Sequence, residues 1–177
     1  MINADGLRLM PFTKAHFLAI LEGDCSKLAE MLEVKAFKQW TEFAAAQEAI
    51  HSLFEIYNSL QGDWRWGSYF IIQERDNCLV GTCGFKGKPS EDNSVEIGYE
   101  INSSFQGQGF ATEATRALSS FAFSRHVDKV IAHTLAEDNH STRVLLKCNF
   151  KFVMELNDPE DGVIWKWRLD KGGNAIL

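Results

Sequence analysis

The chain has 177 residues, 45% hydrophobic and 24% charged, a composition that fits one globular domain and excludes a low-complexity or fibrous protein. Eighteen basic against 24 acidic residues leave a net charge of −6, which argues against a nucleic-acid surface and is compatible with a cationic partner. No apolar run approaches the ~20 residues of a membrane helix, and Met1 to Asp5 lacks the pattern of a secretory leader, so no membrane role and a cytoplasmic location are expected.

In chain order, Leu7 to Met10 alternates and meets Pro11, which predicts a short first strand. Thr13 and Asp24 are placed to cap helices running to about Glu22 and from Ser26 to Val34. Ile50, Leu53, Phe54 and Tyr57 recur at helical spacing within Ala44 to Leu60, with Gly62 as the stop. From Ser68 the period becomes that of strands. Tyr69 to Glu74, Cys78 to Phe85 and Ser94 to Ile101 form an expected antiparallel meander, joined by a turn at Arg75 to Asn77 and a loop at Lys86 to Asn93. A helix is expected from Thr112 to about His126, a mostly apolar strand at Lys129 to Leu135, and a helix capped by Asp138 or Asn139 and running to Cys148. Phe150 to Leu156 and Val163 to Leu169 close the fold, around a turn holding Asp158, Glu160 and Asp161. Residues 171–177 read as a loose tail. This element order is an α+β domain with a mixed, mostly antiparallel sheet of about six to seven strands.

The informative stretch is Gln106-Gly107-Gln108-Gly109-Phe110-Ala111-Thr112, between a strand and a helix start. Helix N-termini offer unpaired N–H groups and a positive dipole end, and glycines allow close backbone approach, so the stretch reads as a cradle for phosphate or pyrophosphate. Thr112 stands where a dinucleotide fingerprint has its third glycine, and no acidic residue follows about twenty residues on. Cys25, Cys78, Cys83 and Cys148 show no ligand spacing, so no metal site is expected.

Gln106-x-x-Gly109-x-Ala111 resembles the pyrophosphate motif of the GNAT superfamily of N-acetyltransferases, Gln/Arg-x-x-Gly-x-Gly/Ala. The run Gly107 to Ala114, with Ala132-His133-Thr134 and Asn139 to Phe150, is similar to the branch containing ribosomal-protein N-terminal acetyltransferases. The resemblance extends from about Leu7 to Leu169 in element order and is specific from Glu96 to Phe150. It implies the acyl-CoA N-acyltransferase fold in a single domain over 1–177, with a motif-bearing core at 68–169 and acceptor-shaping helices at about 11–66.

It also implies acetyl-CoA as donor and direct transfer to a primary amine, on a protein N-terminus or a small molecule. Backbone N–H groups of about Gly107 to Thr112 would hold the pyrophosphate, Tyr99, Glu100 and Ile101 would pair with pantetheine, and Asn139 and Ser141 would meet CoA. Glu96 shares a strand face with Gly98 and Glu100 and is the expected base. Tyr99, on the other face, is expected to pack. The tyrosine acid of many members would align near Leu145 and is absent, so Ser141 is the expected donor to the thiolate. Asn149 replaces the family's helix-ending glycine, at a position expected to be left-handed. His133 reads as a strand histidine without a near partner, and His140 as a residue of the surface or the cofactor mouth. Trp40, Trp64 and Trp66 read as packing residues, though the family sets its acceptor site in this region. Direct transfer favours an α-amino group, with a pKa near ~8, over lysine at ~10.4. A non-catalytic acyl-CoA-binding module would carry the same cradle, and a homodimer is one compatible oligomeric state.

Overall fold

The computed structural model describes residues 1–159 and 161–172. Glu160 and the expected tail beyond 172 lie outside the described residues. The chain order is β1 (Ile2–Ala4), β2 (Leu7–Pro11), α1 (Lys14–Leu21), α2 (Cys25–Leu32), α3 (Ala44–Glu48), α4 (Ile50–Ser59), β3 (Ser68–Gln73), β4 (Cys78–Phe85), β5 (Ser94–Ile101), α5 (Phe110–Ser124), β6 (Lys129–Leu135), α6 (His140–Lys147), β7 (Lys151–Asp158) and β8 (Gly162–Asp170).

These strands form one eight-stranded sheet in the order β1-β2-β3-β4-β5-β6-β8-β7. The expectation of six to seven strands is corrected by β1, a three-residue strand paired with β2 around Asp5-Gly6. Three residues are too few to show a period, but Asp-Gly between strands is a hairpin signal. The expected helix over Ala44 to Leu60 is broken at Ala49 into α3 and α4.

Side-chain alternation divides the core between the two faces of the sheet. On one face Val80, Val95, Ile97 and Ile101 meet Ala114, Leu118 and Ala122 of α5. On the other, Phe70, Ile72 and Leu79 meet Phe17, Leu28, Leu32, Ile50 and Tyr57 from α1, α2 and α4. Thr13 and Asp24 cap α1 and α2 as expected, each accepting a backbone N–H of the first turn.

β5 and β6 are parallel neighbours, paired only at Ser94↔Lys129, Val95↔Val130 and Glu96↔Ile131. Beyond Glu96 the two strands part. Among the described residues, Ile97 to Ile101 therefore has strand pairing on its β4 side only. A central strand with one bare edge is the feature that positions the site.

Candidate acetyl-CoA site

The gap between β5 and β6 continues into a cleft of about 430 Å³. Tyr99, Glu100 and Ile101 of β5 form one wall. Phe105, Gln106, Gly107, Gly109, Phe110, Ala111 and Thr112 form the end. His140, Ser141, Arg143, Val144 and Lys147 of α6 form the other wall, and Phe43 reaches in from the front segment.

The turn into α5 is built by two left-handed residues, Gly107 at φ 75° and Gly109 at φ 91°. A Cβ at either would meet nothing within 4 Å, so the requirement for glycine is conformational. Gly109 is the N-cap of α5 and provides no side-chain cap. The first turn of α5 thus lines the cleft with no side-chain cap on its N–H groups, an arrangement that suits an anion. His140, Arg143 and Lys147 follow at helical spacing on one side of α6, and Arg143 and Lys147 bring positive charge to that wall. Sequence reasoning missed Arg143 and Lys147, although their spacing from His140 was a usable signal.

Gln106 donates to the Ile101 carbonyl at 3.0 Å, which ties the end of β5 to the turn. Gln108 does not line the cleft; its amide lies 3.4 Å from the Ser104 carbonyl. Asn139 is also outside the cleft. It caps α6 in a reciprocal box with Thr142, at 3.1 and 3.0 Å, so its side chain is spent on the helix.

Tyr99 does more than pack, because its hydroxyl donates to the Ser141 carbonyl at 3.1 Å. Burial pushes its phenol well above the ordinary tyrosine range, so it stays protonated. Leu145 is fully buried, and Ser141 is the α6 hydroxyl at the cleft. Asn149 is left-handed, at φ 63°. Its N–H reaches the Leu146 carbonyl and that of Phe150 the Leu145 carbonyl, each at 3.0 Å, the paired bonds of a Schellman ending.

The two glutamates of β5 part company. Glu96 does not line the cleft. Its Oε1 lies 2.5 Å from Lys86 Nζ and 3.0 Å from Nδ1 of His133, which corrects the expectation that His133 lacks a partner. Burial pushes the Glu96 carboxyl up, but Lys86 and His133 outweigh it and hold it below its ordinary value. Glu96 is thus an ion-paired carboxylate outside the cleft, held by Lys86 at the end of β4 and His133 of β6.

Glu100 does line the cleft. Burial pushes its carboxyl up, and a hydrogen bond from the Thr41 hydroxyl offsets this in part. Gly81 lets β4 approach here, since a Cβ would overlap the Glu100 carbonyl oxygen. None of the three tryptophans lines the cleft. Trp40 and Trp66 are buried, and Trp64 stacks on Tyr57 with ring centres 5.7 Å apart.

The acetyltransferase (GNAT) domain family matches residues 7–151. The chain belongs to the GNAT acetyltransferase family. It is accordingly an acetyl-CoA-dependent N-acetyltransferase. The uncharacterized N-acetyltransferase p20 of Bacillus licheniformis is 28% identical over 129 residues, covering 72% of each chain. The ribosomal L7/L12 alpha-N-protein acetyltransferase RimL, solved with coenzyme A, shares the GNAT fold at a TM-score of 0.66 with 16% identity, covering 96% of both chains. A spermidine N-acetyltransferase SpeG variant from Vibrio cholerae shares it at 0.64 with 15% identity, covering 94% of both. No helix among the described residues is long and apolar enough to cross a membrane.

Proposed function

We propose that this GNAT enzyme moves the acetyl group of acetyl-CoA directly to a primary amine, on a protein N-terminus or on a small cationic molecule. The carrying observation is the parting of β5 and β6 beyond Glu96, which leads straight to the uncapped turn at Gly107 and Gly109. The bare edge of β5 suits the amides of pantetheine, and the turn suits a pyrophosphate. RimL, named for a protein N-terminus, and SpeG, named for spermidine, have this fold and support both acceptor classes.

When bound, acetyl-CoA supplies a thioester carbonyl at the edge of β5. The N–H groups of Tyr99 and Ile101, on the edge away from β4, would orient it and polarise its oxygen. The N–H groups of Gly107 to Thr112 hold the pyrophosphate, each charge-assisted bond contributing about 1.5–3 kcal/mol. Ser141 hands a proton to the leaving sulfur. The chain works as one catalytic unit, with residues 14–59 covering the acceptor side of the sheet.

The test is release of free CoA thiol on mixing the protein with acetyl-CoA and a panel of N-terminal peptides, polyamines, aminoglycosides and amino acids. Amine-dependent release is expected. Tight acetyl-CoA binding with no release against any amine would turn the reading to a non-catalytic acyl-CoA-binding module.

A further inference from the structure

Acetyl transfer to an amine needs an ammonium to be bound and deprotonated beside the thioester. Glu96 is engaged by Lys86 and His133, and the second acid of β5 is not so engaged. Glu100 pairs with Thr82 of β4, and Thr82 pairs with Phe70 of β3, so all three side chains lie on the sheet face covered by α1, α2 and α4. This face is opposite to that of α5.

Between Glu96 and Glu100, on the same face, stands Gly98. Nothing lies within 4 Å of where its Cβ would be. The bare edge of β5 can thus be reached from the α1–α4 side across Gly98, beside the Glu100 carboxylate. That carboxylate accepts a hydrogen bond from Thr41, whose residue is 1% exposed. Among the described residues no Lys, Arg or His lies within ion-pair distance of it.

The other titratable groups nearby have separate places. Glu42, on the Thr41 loop, is bound by the N–H and hydroxyl of Ser103 at 2.8 and 2.6 Å. Across the cleft on α6, Arg143 is paired with Asp138 at 3.2 Å, while His140 and Lys147 line the wall. A half-buried carboxylate with one hydroxyl partner and no cation is costly unless a cation comes to it.

We propose that Glu100 is the catalytic residue that binds the acceptor's ammonium and takes its proton, with Thr41 as its positioning residue. The proposal rests on the acetyl-transfer reading above and specifies the acceptor as a cationic primary amine that meets an acid beside the apolar Phe43. The Glu100 carboxylate accepts one proton from the ammonium and becomes a carboxylic acid. The freed nitrogen lone pair forms the N–C bond to the acetyl carbon, the C–S bond breaks, and its electron pair leaves on sulfur. The second nitrogen proton ends on that sulfur, by way of Ser141. Glu100 then returns its proton to water. The sum is ammonium plus thioester giving amide, thiol and one released proton. Burial, which raises the carboxyl's proton affinity, favours this role.

The test uses the full chain as wild type, Glu100→Gln, Glu96→Gln, Thr41→Val and Thr41→Ser. Acetyl-CoA affinity is measured by calorimetry, and kcat and KM by thiol release with cationic amines. All variants should bind acetyl-CoA within about threefold of wild type, which also reports folding. Glu100→Gln should lose about a hundredfold or more in kcat/KM, in the range of general-base deletions. Thr41→Val should lose about tenfold and move the acidic limb of the profile to higher pH, because the lost hydrogen bond holds the carboxyl down. Thr41→Ser should restore both.

A Glu100→Gln rate within threefold of wild type overturns the proposal, as does a larger loss in Glu96→Gln. So does a wild type that binds acetyl-CoA but neither binds nor acetylates any cationic amine. Failure of the wild type to bind acetyl-CoA overturns the acetyl-transfer reading itself, and is told apart by the calorimetry.

Discussion

The Tyr99 hydroxyl donates to the Ser141 carbonyl at 3.1 Å, joining the bare half of β5 to the first turn of α6. The bond crosses the gap into which pantetheine is proposed to fit, so it sets the spacing of the two walls. Tyr99→Phe removes one hydrogen bond and should cost about 0.5–1.5 kcal/mol in stability. For a chain of this size that is a fall of a few degrees in melting temperature. Thermal unfolding checks it, and acetyl-CoA affinity should fall in parallel because the wall spacing is no longer held.

A variant of Ser141, which lines the cleft, tests binding and chemistry separately. The Ser141 side chain is proposed to serve the leaving sulfur, whereas the cradle is made of backbone. Ser141→Ala should lower kcat by about tenfold or more with acetyl-CoA affinity nearly unchanged. Steady-state kinetics beside calorimetry read the two effects separately.

Gly109 stands at φ 91° with open space around its missing side chain. Gly109→Val therefore strains the backbone without a clash, at a cost of about 1–3 kcal/mol. It also turns the first N–H groups of α5 away from the cleft. Loss of one charge-assisted bond to the pyrophosphate corresponds to about tenfold to a hundredfold in affinity. Calorimetric titration with acetyl-CoA checks the affinity, and chemical denaturation checks the strain.

The two β5 glutamates should respond oppositely to pH. Glu96 titrates below its ordinary value of 4.5, so its contribution to stability is present above that pH and is lost as pH falls through the folded-state value. Glu100 titrates above 4.5, so the folded state loses stability as pH rises from 4.5 through the raised value. At pH 7 Glu96→Gln should lower the melting temperature and Glu100→Gln should raise it. Both differences should vanish in acid, where the two wild-type carboxyls are protonated. Thermal unfolding from pH 3 to 8 reads both signs.

Asn149 ends α6 at φ 63°. Asn tolerates that region better than Ala, and Gly better than either. Asn149→Ala should cost about 1 kcal/mol, and Asn149→Gly should be neutral or mildly stabilising. Urea denaturation of the two variants gives the order.

Much of the site was legible because its parts are local. The glycine turn, the start of α5 to within two residues, a cap at Asp138 or Asn139 and the left-handed Asn149 each depend on a few adjacent residues; that both glycines are left-handed and that Asn139 is the cap came from the structure. Strand alternation likewise put Glu96, Gly98 and Glu100 on one face. β1 was missed because three residues carry no period, and the break at Ala49 because the apolar spacing runs through it.

The amino-acid sequence by itself determined the strand order from β2 to β8, the glycine turn before α5 and the family. Tertiary structure alone decided which acid is ion-paired and which has only a hydroxyl partner. Glu96 and Glu100 have the same side chain, strand and face. Their difference comes from Lys86, His133 and Thr41, residues 10, 37 and 59 positions away in the chain. Proton affinity depends on burial and on neighbouring charge, and those neighbours meet β5 only when the sheet and the front segment are assembled.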